Sequence, residues 1–145
     1  MGLDEVVTLP RLIAGLGFRR ATPPAEIVAL LRRALREAGL APERLAAIAT
    51  AADRAGEPAI REAAAAFGFI PTGVDAAVLM AVDARVVTRS SRIEASRGVG
   101  SVAEAAALAC AGPAARLLLP RITSAGATCA LAMFEDRPSD DSITS

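Results

Sequence analysis

The run Gly98-Val99-Gly100-Ser101-Val102-Ala103-Glu104 combines residue types and spacing suited to chemistry at a backbone turn. Its two glycines allow a sharp bend, and the alanine-rich stretch that follows reads as a helix. Ser101 and Glu104 stand at the spacing of a capping box. The serine hydroxyl then accepts from the N–H of Glu104, and the glutamate reaches back to the N–H of Ser101. A helix start opened by glycines leaves free N–H groups at the positive end of the helix dipole, which suits a carboxylate or phosphate. The same residues also make a well-capped buried helix that binds nothing.

Asp53 and Glu57 are a second candidate group. They read either as a carboxylate pair for acid–base work or as acids favoured at the start of the next helix. Arg85, Arg89, Arg92 and Arg97 share one short polar stretch, opposed by Asp83 and Glu94 alone, and Arg19-Arg20 make a second basic point. Such arginines are either solvated surface or a clamp for carboxylates, which guanidinium binds bidentately. Gly15-Leu16-Gly17 looks like the opening of a dinucleotide fingerprint. Its third small position falls on Arg20, and Asp53 stands too far along to meet a ribose, so no dinucleotide site is expected. Cys110 and Cys129 are embedded in apolar sequence and read as core.

What is missing narrows the chemistry further. The 145 residues contain no His, Lys, Trp or Tyr, and every basic residue is Arg. A Ser-His-Asp triad, a histidine metal site, a lysine Schiff base and a Walker lysine are therefore excluded within this chain. No resident metal or cofactor is expected. The formal net charge is zero, so nucleic acid is not an expected partner. No apolar run approaches the roughly 18 residues of a membrane span, and the opening Met1-Gly2-Leu3-Asp4-Glu5 lacks the basic start of a signal peptide. With few cysteines and no leader, a cytoplasmic location is expected.

The elements that must position these residues follow from periodicity. Residues 1–10 read as a lead-in. Leu12 to Leu16 reads as a buried strand ending in a glycine turn at 15–17. Thr22 is the expected N-cap of a helix with Pro23 at its first position. That helix carries Ile27, Leu30, Leu31, Ala34 and Leu35 on one face and stops at Gly39. Leu45 to Thr50 reads as a second strand, Pro58 to Phe67 as a helix stopped by Gly68, and Phe69-Ile70-Pro71 as a short third strand. A short helix is expected within Val74 to Val82. Residues 84–97 read as loop, with Arg85 to Thr88 able to pair as an edge segment. The helix from Val102 ends at Gly112-Pro113. Arg116 to Ile122 and Ala127 to Phe134 form a hairpin, and residues 135–145 are an acidic tail expected to be disordered. The resulting fold is α/β, a three-layer α/β/α sandwich with a mixed sheet of about five strands. Ligands in such folds bind beyond the carboxyl ends of the parallel strands. That rule gathers the 15–17 turn, the Asp53–Glu57 turn, Thr72-Gly73 and the 98–101 turn on one rim.

Four separated segments carry a family resemblance over about residues 11–134. Gly15-Leu-Gly17-Phe-Arg19-Arg20-Ala-Thr22 resembles a G-x-G-C-R-R-G-T opening. Ala49-Thr50-Ala-Ala-Asp53-Arg54-Ala-Gly-Glu57-Pro58 resembles a segment ending in K-x-x-E-P or K-x-x-E-x. Gly98-Val-Gly100-Ser101-Val-Ala-Glu104-Ala-Ala resembles G-V-G-S-V-C-E-A-A. Leu119-Pro120-Arg121 through Gly126-Ala-Thr128 and Ala130 resembles a closing L-x-x-K-x-x-x-x-x-x-T-x-A. These are the motifs of the family that joins CobE with the C-terminal domain of CbiG in cobalamin biosynthesis, and the chain is most like the stand-alone CobE form. The departures are Phe18 and Ala103 in place of cysteines, Ala21 in place of a glycine, and Arg54 and Arg121 in place of lysines. They argue against thiol and amine chemistry while keeping positive charge.

The resemblance implies a domain that handles a precorrin or corrin intermediate. Complete CbiG proteins open the δ-lactone of cobalt-precorrin-5A and release acetaldehyde, using additional N-terminal regions that this sequence does not contain. The expected partner is a precorrin or hydrogenobyrinic-type tetrapyrrole, together with other enzymes of the pathway. Such ligands carry acetate and propionate arms around a flat apolar ring. The ligand contacts expected from the motifs are Gly15, Gly17, Arg19, Arg20, Arg54, Gly98, Gly100, Ser101, Glu104, Arg121 and Thr128, with Arg89, Arg92 and Arg97 as outer contacts. Three roles fit: a carrier or accessory factor, a lactone hydrolase in which Asp53 or Glu57 activates water, and a non-catalytic docking partner.

Overall fold

In strand β1 (Pro10–Phe18), alternate residues point to opposite faces. Leu12, Ala14, Leu16 and Phe18 enter one apolar cluster, while Ile13 enters another on the reverse side. A strand buried on both faces must lie inside a sheet with helices above and below. The computed structural model, which describes residues 10–89 and 100–135, has that form. Strands β2 (Leu45–Ala51), β3 (Thr72–Val74), β4 (Arg116–Thr123) and β5 (Ala127–Glu135) complete a five-stranded sheet in the order β3-β2-β1-β5-β4. β1, β2 and β3 run parallel, and β5 runs antiparallel to both β1 and β4.

Helices α1 (Pro24–Ala38) and α2 (Pro58–Ala65) cover the Leu12 face. α1 buries Ile27, Leu30, Leu31, Ala34 and Leu35, a stripe at helical spacing, and ends at Gly39 with φ 73°. α3 (Ala76–Ala81) and α4 (Val102–Ala111) cover the Ile13 face. α4 buries every residue from Ala103 to Leu108, as a helix enclosed on all sides must. The mixed five-stranded α/β sandwich read from the sequence is therefore the fold observed.

Several local expectations are corrected. Gly15 and Gly17 lie within β1, which runs on to Phe18, and no turn forms at 15–17. The reason is the close approach of α4. A Cβ on Gly15 would overlap the carbonyl oxygen of Ala103 and stand 2.7 Å from the nitrogen of Ala107. Thr22 does not cap α1: the N-cap is Pro23, without a side-chain bond, and Pro24 opens the helix. The Thr22 hydroxyl instead donates to the Gly126 carbonyl at 2.8 Å. The third strand is Thr72–Val74, not 69–71. Phe69 closes α2, its N–H donating to the Ala64 carbonyl at 2.9 Å beside Gly68 at φ 86°. Arg85 to Thr88 pairs with no strand. At the two ends, β1 already starts at Pro10 and β5 still includes Glu135; residues 1–9 and 136–145 lie outside the described residues.

The packing at Gly15 makes a direct prediction. Gly15→Ala forces α4 off the sheet and should lower stability by about 3 kcal/mol in urea denaturation. Gly56→Ala, where an added Cβ meets nothing within 4 Å, should change it by less than about 0.5 kcal/mol.

Candidate functional site

Parallel pairing aligns the carboxyl ends of β1, β2 and β3 along one rim, with Thr50 opposite Gly73 and Ala51 opposite Val74. The buried Thr50 hydroxyl ties β2 to β1 by donating to the Leu16 carbonyl at 2.7 Å. The start of α4 reaches the same rim, because Val102 stands 3.9 Å from where a Gly17 Cβ would be. The β4–β5 turn also ends there, since Phe18 pairs with Ala127.

Arg19 and Arg20 follow Phe18 and are exposed. Their turn is held from below. The Arg19 N–H donates to the Gly126 carbonyl at 2.8 Å, and Glu26 accepts from the Ser124 hydroxyl at 2.5 Å and the Gly126 N–H at 2.6 Å. Those bonds, the hydroxyl first, hold the Glu26 carboxyl below its usual range. Arg54 lies across the end of β1, its guanidinium carbon 4.2 Å from the Phe18 ring centroid. It also donates to both oxygens of Glu57, at 2.5 and 3.3 Å. Glu57 sits at the N-cap of α2 but caps nothing with its side chain. Its carboxylate is paired with Arg54, and it stands at the start of the helix, where an acid is favoured, without a side-chain cap bond. Asp53 is exposed on the same turn.

On the other side of the rim, Gly17 leaves room for Thr128: a Cβ there would stand 2.7 Å from the threonine Oγ1. Ser101 caps α4 as its spacing predicts, its Oγ accepting from the Glu104 N–H at 3.2 Å. The N–H of Gly100, read as open to an external anion, donates to Asp83 Oδ1 at 2.9 Å. Arg89 pairs with the same carboxylate at 2.9 Å and lies against Gly100, where a Cβ would come within 2.9 Å of its guanidinium carbon. These partners, Arg89 foremost, lower the Asp83 carboxyl. Gly98, Arg92 and Arg97 lie outside the described residues.

Glu104 is the largest departure from the local reading. Its side chain is fully buried and turns away from Ser101. Oε1 accepts from the N–H groups of Val87 and Thr88 at 2.7 and 2.9 Å, and Oε2 accepts from the Arg121 N–H at 2.8 Å. The Arg121 N–H is available because Pro120 and Arg121 together oppose Ala130 in a β-bulge. Arg121 Nε is itself buried without a hydrogen-bond partner. The sequence did not disclose these partners, nor Asp83 as the occupant of the Gly100 N–H. The available signal was the apolar Val86-Val87 pair inside an arginine-rich loop. Cys129 is a core residue and Cys110 is half-buried against the core; burial raises the Cys110 thiol and pushes that of Cys129 up to about 12. Among the described residues no helix is long and apolar enough to cross a membrane.

Burial pushes the Glu104 carboxyl up, but the N–H groups of Arg121, Thr88 and Val87 and the Thr88 hydroxyl outweigh it, leaving it below 4.5. Its ionised form therefore stabilises the fold above the ordinary glutamate range, and that contribution disappears as pH falls through the lowered value. Glu104→Gln turns a donor toward backbone donors and should cost about 2–3 kcal/mol at neutral pH. Urea denaturation from pH 7 to 3 should show a shallower acid-side loss of stability in the variant than in the parent.

Comparison with known proteins agrees with this architecture. Residues 12–132 match the family model described as cobalamin synthesis G C-terminus. Protein CobE of Sinorhizobium sp. is 46% identical over 121 residues, covering 83% of this chain and 79% of the relative. The crystal structure of CobE, a protein from the cobalamin (vitamin B12) biosynthetic pathway, superposes with a TM-score of 0.82 at 33% identity, covering 91% of this chain and 97% of the other. The cobalamin biosynthesis protein chiG from Agrobacterium tumefaciens str. C58 superposes with a TM-score of 0.68 at 36% identity, covering 86% and 99%. The family match, the identity and the shared fold together show that the chain belongs to the CobE and CbiG C-terminal family of cobalamin biosynthesis.

Proposed function

We propose that this protein binds a precorrin or hydrogenobyrinic-type tetrapyrrole at the carboxyl rim of β1–β3, acting as a cytoplasmic carrier or accessory factor. The observation that carries the reading is the exposed Arg19-Arg20 pair at the end of β1, beside Arg54 stacked on Phe18. Neither Arg19 nor Arg20 has a side-chain hydrogen bond or ion pair among the described residues. Both guanidinium groups therefore face water, ready for carboxylates of a ligand. Arg54 is already half-committed to Glu57, so its charge adds to the local field more than it clamps. That pairing also supports a carrier over a lactone hydrolase. Two bonds from the guanidinium hold the Glu57 oxygens to Arg54 and away from an attacking water.

The test is a visible-absorbance titration of the purified protein with hydrogenobyrinic acid, with acetaldehyde assayed in the same samples alongside lactone-bearing intermediates. A saturable spectral shift without acetaldehyde is expected. Arg19→Ala with Arg20→Ala should weaken binding about tenfold, and the parent affinity should fall with added salt. Unchanged affinity in the folded double variant would remove these arginines from the site. Acetaldehyde release that depends on Glu57 would replace the carrier with the hydrolase, and neither signal would leave a docking role.

A further inference from the structure

The first turn of α1 carries an acid that its own helix does not use. Glu26 is the third residue of α1, the position from which an acid ordinarily reaches back to the N–H of the N-cap. Here the N-cap is Pro23 and the helix opens with Pro24, and proline has no N–H to offer. Glu26 Oε2 accepts instead from the Ser124 hydroxyl and the Gly126 N–H, 98 and 100 residues further along the chain. A local partner is replaced by a distant one, and the distant one belongs to the rim.

Gly126 links this acid to the arginines. Glu26 holds its N–H, and its carbonyl accepts from the Arg19 N–H and from the Thr22 hydroxyl, each at 2.8 Å. The arginine turn then closes on itself, the Thr22 N–H donating to the Arg19 carbonyl at 3.0 Å. Ser124 secures the other side of the loop: its N–H donates to the Ala127 carbonyl at 2.8 Å, and its Oγ accepts from the Ala127 N–H at 3.2 Å. The fit leaves no slack, because a Cβ on Gly126 would stand 2.4 Å from Thr22 Oγ1 and 3.5 Å from Glu26 Oε2. One continuous set of bonds therefore runs from Glu26 through the β4–β5 turn to the backbone of Arg19. The arginine side chains are exposed and take no part in it. Long side chains close on a ligand at lower entropic cost when the backbone beneath them is already fixed.

We propose that Glu26 is a positioning residue for the Arg19-Arg20 site: by holding the 124–126 turn it fixes the backbone that presents both guanidinium groups to the carboxylates of a ligand, which it does not itself touch. The inference rests on the tetrapyrrole reading above and adds a determinant of affinity outside the contact surface. Its sign separates it from plain electrostatics. Removing a negative charge beside an anion site favours the anion, whereas loss of positioning disfavours it.

The experiment titrates the parent, Glu26→Ala and Glu26→Gln with hydrogenobyrinic acid by visible absorbance, each also in the Arg19→Ala, Arg20→Ala background. Trypsin cleavage after Arg19 and Arg20 reads the turn without any ligand, and thermal melts establish that each variant is folded. Glu26→Ala should weaken binding about fivefold and speed cleavage of the turn. Glu26→Gln keeps an acceptor oxygen and should fall nearer the parent in both measurements. Without the two arginines, Glu26→Ala should change affinity by less than about twofold, whereas a general loosening of the fold would weaken both backgrounds alike. If Glu26→Ala does not fold, Ser124→Ala, which removes one of the two donors to Oε2, carries the same test. Equal or tighter binding by Glu26→Ala would overturn the positioning role while the tetrapyrrole reading stands. A loss that persists without the arginines, or a turn that trypsin cleaves no faster, would overturn it as well. No spectral shift in the parent would remove the tetrapyrrole reading and this inference with it.

Discussion

The buried carboxylate of Glu104 is the interaction on which the arrangement around α4 depends. One side chain joins a helix, the Val87–Thr88 loop and the bulge of an edge strand, and no water is needed to satisfy it. An ionised group in such a place is tolerable only because backbone N–H groups surround it. In return, those N–H groups have no ladder partner and would be orphaned without it. The dependence runs both ways, which is why a glutamate and not an alanine sits among Ala103, Ala105, Ala106 and Ala107. The loop fixed by Glu104 is also the one that delivers Arg89 to the Asp83 carboxylate.

The second constraint is the distance between α4 and β1. Gly15 lies under Ala103 and Ala107, which are one helical turn apart, so the helix rests almost directly on strand backbone. This contact accords with the alanine-rich sequence of α4. Close layers leave no room for large rings, and area is buried through many small residues instead. It also brings the start of α4 down to the level where the parallel strands end, beside Gly17 and Thr128. The rim is thus a product of core packing.

Much of the architecture was legible because its signals are local. The Leu and Ile stripe of α1, the stops at Gly39 and Gly112 and the Ser101 cap are read within one or two helical turns. The hairpin of β4 and β5 announces itself by two apolar runs around Ser124-Ala125-Gly126. The candidate site was less legible because its contacts are distant in sequence. Val87 and Arg121 each stand 17 residues from Glu104, on opposite sides of it. A glycine inside a strand looks the same as a glycine in a turn until the helix above it is placed, and this misplaced the end of β1. The short third strand slipped by three residues for a related reason: Phe69 was needed to close α2, a demand that apolar character alone does not reveal. Arg19, Arg20, Arg54 and Glu57 did fall together at the rim, because strand order alone gathers the ends of β1 and β2.

Pro120 gives the bulge in β4 a further consequence. Among the described residues β4 is the outermost strand on its side of the sheet, and no strand pairs with its other flank. A regular strand there would present a row of donors and acceptors to any extended chain that approached. Proline removes one donor from that row, the paired offset of Pro120 and Arg121 breaks its spacing, and Glu104 draws the next N–H inward. The margin of the sheet is thereby made a poor template for edge-to-edge association, so that a fold built from aliphatic strands resists polymerising through its own hydrogen bonds.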